Sequence, residues 1–182
     1  MGYSMAYRHE TGGTEVKKLL LVLVIAIIPA MAFAQFQIGG TALYTGDITA
    51  ISSGPVSAGD FNFGGEARLK LWIFQVGATG YYVPDGSNSY FFGTADAGLS
   101  LNILFLRVGA GVGVNAIYDS YGLAYGPDML DKPYNMKATV DLNLGPIAIG
   151  VEGIYFLTDF SQIPTAFSYA PAVGVSLLLK LF

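Results

Sequence analysis

Glu66, Asp96, Asp141 and Glu152 are the carboxylates that could do chemistry together, and Arg68, Lys70, Arg107 and Lys137 are spaced to meet them. Glu66, Arg68 and Lys70 stand two residues apart, and Lys137 and Asp141 four apart, which puts each set on one face of an extended chain. Paired carboxylates could act as general acid and base, but a carboxylate neutralised by a cation is a poor acid at neutral pH. Four charges of each sign sum to zero. Charges withdrawn from water have to pair, so these eight read as a charge network that fills and braces an interior, in preference to a gated ion path. Other chemistry is scarce. The chain has no cysteine and one histidine, His9, which leaves no Ser-His or Cys-His nucleophile and no His/Cys metal site in the body of the chain. "GAGVG" lies within a strand pattern with no helix after it, so it is not a phosphate loop. Asp128 and Asp131 read as solvated loop residues and not as a divalent-cation site. No catalytic residue, metal or cofactor is assigned, and a non-enzyme is expected.

The elements that position these charges show in "RVGAGVGVNAIY", Arg107 to Tyr118. Val108, Ala110, Val112, Val114, Ala116 and Tyr118 share one face, while Arg107, Gly109, Gly111, Gly113, Asn115 and Ile117 share the other. Alternation at period two predicts a strand. The same pattern predicts strands at 35–45, 61–72, 75–84, 90–103, 105–118, 134–144, 147–158 and 168–182. Phe61, Phe63, Ala67, Leu69 and Leu71 oppose Asn62, Glu66, Arg68 and Lys70. Tyr134, Met136, Ala138, Val140 and Leu142 oppose Asn135, Lys137, Thr139 and Asp141. Long connections at 46–60, 85–89, 119–133 and 159–167 alternate with turns of a few residues near 72–75, 103–105 and 144–147. "LKLWIFQVGATG", "LSLNILFLRVGAGVG" and "VDLNLGPIAIGVEG" each carry a strand through such a turn into a small-residue strand. They read as one hairpin unit used three times.

A 182-residue chain that is 53% hydrophobic and 12% charged, against a usual charged share of about 25%, cannot easily cover itself with polar surface. Beyond the N-terminal region no stretch reaches the ~20 apolar residues of a helical span. With 24 glycines and 12 tyrosines, the alternating strands predict an eight-stranded antiparallel transmembrane β-barrel: apolar side chains toward lipid, polar ones inward, short turns periplasmic and long loops outside. An eight-stranded interior is just filled by side chains. On this reading Val112→Arg impairs insertion far more than Gly113→Ser. A net charge of −4 without basic clusters argues against nucleic acid. Lys17 and Lys18 before "LLLVLVIAIIPAMAFA" make residues 17–34 a signal peptide cleaved before Gln35, with 35–182 as the barrel. Residues 1–16 read as an upstream extension from a misassigned start, since a GTG codon at Val16 would begin the chain "MKKLLLV". Aromatic residues sort to strand ends, Tyr44, Phe61, Phe63, Tyr82, Phe91, Tyr118, Tyr134, Tyr155 and Tyr169 by the loops and Trp72, Phe74 and Phe105 by the turns. That is the girdle expected at two water–lipid borders.

On the signal "KKLLLVLVIAIIPAMAFA", the eight strands and the last strand "PAVGVSLLLKLF", the chain resembles the small outer-membrane barrels of the OmpA, OmpX and OmpW type. The resemblance implies integral placement in the bacterial outer membrane, with its lipid and the barrel-assembly machinery as partners, and makes the terminal Phe182 the assembly signal. Parity puts Phe182 with Ser176 and Lys180, opposite Leu177, Leu179 and Leu181, whereas the usual signal points toward lipid. Some barrels of this class act on lipid A through a histidine, which residues 35–182 lack. Nearer the loops the inward face reads Leu43, Tyr81, Phe92, Ile117, Ile154 and Phe156, an apolar funnel above the charged floor. This is similar to the porin-like OmpW arrangement, and implies that small hydrophobic molecules bind there or pass sideways into the bilayer. The alternatives are an adhesin that meets host components through loops 46–60 and 119–133, and a barrel with a purely structural role.

Overall fold

The computed structural model describes residues 17–18, 34–46, 57–84, 89–119, 122–125, 132–167 and 170–181. The chain divides into 1–33 and 34–182; Lys17 and Lys18 are helical in the first, and the second is the barrel. The rest of the apolar run before Ala34, loop positions Asp128 and Asp131, Tyr169 and Phe182 lie outside the described residues.

Alternation at period two produces strands wherever the pattern predicts them: β1 Ala34–Tyr44, β2 Phe61–Leu71, β3 Phe74–Val83, β4 Tyr90–Ile103, β5 Leu106–Asp119, β7 Tyr134–Leu144, β8 Ile147–Leu157 and β9 Ala172–Lys180. Antiparallel neighbours run in the order β4-β3-β2-β1-β9-β8-β7-β5, and the β4–β5 pairing closes the ring. The three repeated stretches are the hairpins β2–β3, β4–β5 and β7–β8. Their two-residue turns start with a left-handed backbone, at Trp72 (φ 58°), Leu104 (φ 57°) and Gly145 (φ 67°). Only the glycine takes that conformation without strain.

Three details differ from the sequence reading. The 119–133 connection holds an extra strand, β6 Gly122–Tyr125, which pairs with the end of β5 beyond its contact with β7. Residues 159–167 carry a 3₁₀ turn, Phe160–Gln162, and a one-turn helix, α1 Ile163–Ala166, so β9 begins at Ala172 and not at 168. Gly113 is not a freely substitutable position, because a Cβ there would fall on the Ala95 carbonyl oxygen.

The two faces separate as the parity predicts. Val112, Val114, Val140, Val151, Leu177 and Leu179 are exposed on the outer wall, while Glu66, Arg68, Asp141 and Glu152 are buried inside. Ladder register sets Phe63, Tyr82, Phe91 and Tyr118 side by side in one row near the loop end. Trp72, Phe74 and Phe105 are exposed at the turn end.

Candidate functional site

The interior is layered. Its middle is a charge cluster built around Arg68, whose guanidinium donates to Glu66 through Nε (2.7 Å) and to both Asp141 oxygens (2.9 and 3.0 Å). It also lies 3.6 Å from Glu152. Lys137 Nζ reaches Glu66 at 2.7 Å, Glu152 at 2.8 Å and Asp96 at 3.6 Å. Arg107 Nε donates to Asp141 at 2.7 Å. Thr41 and Tyr81 donate to Glu152, Thr79 donates to Glu66, and Ser176 accepts from Arg68. Every strand of the closed ring therefore places a side chain in one network. An arginine fork that engages two carboxylates suits this role because its donors lie in a fixed plane.

Seven of the eight charges expected to form the network do so. Lys70 does not: its Nζ donates to Asn102 Oδ1 at 2.8 Å, nearer the turns, and no described carboxylate pairs with it. The cluster thus holds four carboxylates (Glu66, Asp96, Asp141, Glu152) against three cations (Arg68, Arg107, Lys137). Gly77 and Gly174 make room for carboxylates of the cluster. A Cβ at Gly77 would stand 2.9 Å from Asp96 Oδ1, and one at Gly174 would stand 2.7 Å from Glu152 Cγ. Among the described residues no three His, Cys, Asp or Glu gather as metal ligands.

Above the charges lies an apolar seal. Leu43, Tyr81 and Ile154 are 2%, 0% and 1% exposed and pack with Phe92, Phe156 and Ala172. Tyr81 joins the two layers, because its ring stacks on Phe92 at 6.3 Å while its hydroxyl donates to Glu152 at 2.8 Å. The seal is the floor of a cavity of about 490 Å³ at the loop end, walled by Leu43, Val83, Pro84, Phe92, Ile117 and Phe156. Of the six residues expected to make an apolar pocket, four line this cavity, and Tyr81 and Ile154 close it from below.

A second cavity, of about 370 Å³, was not foreseen. The β8–β9 ladder stops at Ile154–Ala172, whereas β8 continues along β7 to Leu157. Among the described residues no strand pairs with the far side of Tyr155–Leu157, and the 158–167 segment folds against them. The lining combines inward Ile154 and Phe156 with outward Tyr155 and Leu157. It lies beside the end of the β8–β9 ladder. No sequence signal marks it, since it depends on where one ladder stops relative to the next.

The fold and the filled interior define a class: a closed eight-stranded antiparallel barrel, packed with side chains at mid-height. No family model, curated protein or solved structure matches the chain.

Proposed function

We propose that the protein is an integral outer-membrane barrel that binds small apolar molecules in its loop-end cavity. It then passes them sideways through the break between β8 and β9. The observation that carries this reading is an apolar chamber over a tightly packed charged floor. A molecule in the chamber meets Leu43, Phe92, Ile117 and Phe156, while the way straight down is filled by buried side chains, none of the network more than 7% exposed. The second cavity supplies the lateral way out. Membrane placement is supported by the apolar outer wall, which in water would be a liability, and by the aromatic rows at its two ends. The cluster serves as a brace and carries no reaction.

The test is binding of octan-1-ol, followed by NMR, to the protein in phosphocholine nanodiscs. Ile117→Asp and Phe156→Asp place a carboxylate in the chamber and are expected to abolish the binding, while replacement of residues 126–131 leaves it intact. Unchanged binding in both aspartate variants would remove the chamber as a binding site.

A further inference from the structure

Lys132 stands where the two cavities meet and lines both. Its place there is fixed from below: its carbonyl accepts from Asn115 Nδ2 at 2.8 Å, and the Asn115 amide donates to Pro133 O at 2.8 Å. Asn115 is itself buried and accepts from Asn135 at 2.7 Å. The side chain of Lys132 is exposed, and no carboxylate of the described residues pairs with it. Every other described lining residue of the two cavities is apolar or an uncharged polar group such as Thr45, Asn62, Gln162 or Thr165. Among the described residues the two chambers therefore share a single charge, and it is positive.

We infer that Lys132 is the head-group residue of this site and that the ligand class is a carboxylate with an apolar tail. The inference rests on the cavity reading above and narrows it. An aliphatic tail in the chamber gains by leaving water whatever its head, so the walls alone do not distinguish an acid from an alcohol of equal length. An ammonium at the rim does. It pairs with a carboxylate, gives a hydroxyl only an ordinary hydrogen bond and repels a quaternary ammonium. Because Lys132 borders both chambers, the head can stay paired while the tail moves from the central cavity toward the β8–β9 break.

The experiment compares octanoate, octan-1-ol and octyltrimethylammonium on the protein in phosphocholine nanodiscs at neutral pH, with empty discs as reference. Octanoate is expected to bind about fivefold more tightly than octan-1-ol, the size of one exposed ion pair. Lys132→Met should remove that preference, lowering octanoate affinity more than octan-1-ol affinity. Lys132→Glu should turn the preference toward octyltrimethylammonium. Octan-1-ol bound with an octanoate preference that is the same in wild type and Lys132→Met overturns the head-group assignment alone. Failure of octan-1-ol to bind wild type overturns the cavity reading and this inference with it.

Discussion

Arg68 holds Glu66 and Asp141 by five hydrogen-bond contacts shorter than 3.5 Å when its bond to Ser176 is included, and the side chain is 1% exposed. Lys70, two residues along the same strand and on the same face, holds only Asn102. The two substitutions to methionine should therefore differ sharply. Arg68→Met strands buried carboxylates and is expected to cost about 3–5 kcal/mol, whereas Lys70→Met loses one bond at about 0.5–1.5 kcal/mol. Urea unfolding midpoints of the two variants in lipid vesicles check the order. Equal shifts would mean that Arg68 is not the centre of the network. Parity was enough to read all eight charges as inward, because a side chain's face depends only on odd or even position. It was not enough to pair them. Partners depend on the height each strand gives its residues around the ring, and that stagger is set by eight ladders at once. Counting four charges of each sign hid the fact that Lys70 lies too near the turns to reach a carboxylate.

The predicted strands other than β9 were legible to within a residue at each end, since each carries its alternation over ten or so positions. The 158–167 segment was not, because a four-residue helix is too short to show a helical period. What holds it is local. Asp159 accepts from the Ser161 amide at 2.6 Å, Phe160 lies 4.4 Å from Tyr134, and Phe167 lies 5.6 Å from Tyr155. The packing buries Leu157 although its parity points outward. The Ser161 amide also holds the Asp159 carboxyl below the usual carboxylate range. A group whose folded value is depressed stabilises above its unfolded value and stops doing so as pH falls through the folded one. Amide-exchange protection at Ser161 should accordingly be high at neutral pH and fall in acid toward that of Asp159→Ala, with Asp159→Asn retaining part of it at every pH. Protection that ignores both pH and the alanine substitution would show that the aromatic contacts alone hold the segment over the second cavity.

At the scale of the whole molecule the decisive feature is inverted polarity, with charge inside and valine and leucine outside. A soluble barrel has no use for an outer wall on which Val112, Val140, Val151 and Val175 each keep about half their surface exposed; hydrocarbon around it makes that exposure favourable. Val112 is the position at which to test it, being mid-strand on β5 with Gly111 and Gly113 to either side. The glycines cannot serve as controls, because a side chain at Gly113 strikes the Ala95 carbonyl oxygen and one at Gly111 comes within 2.8 Å of the Ala97 oxygen. Their replacement would disturb the ladder in any solvent. Val112→Ala is the fair comparison, because it keeps the strand and removes only apolar surface. In phospholipid vesicles Val112→Arg is expected to destabilise the barrel by about 2–4 kcal/mol if the position lies near the bilayer midplane, and Val112→Ala by far less. Exposed in water, the same arginine would be close to neutral, as surface substitutions usually are. Unfolding free energies of the two variants in vesicles therefore decide the medium: a wide gap places this wall in hydrocarbon, and two small, similar losses place it in water.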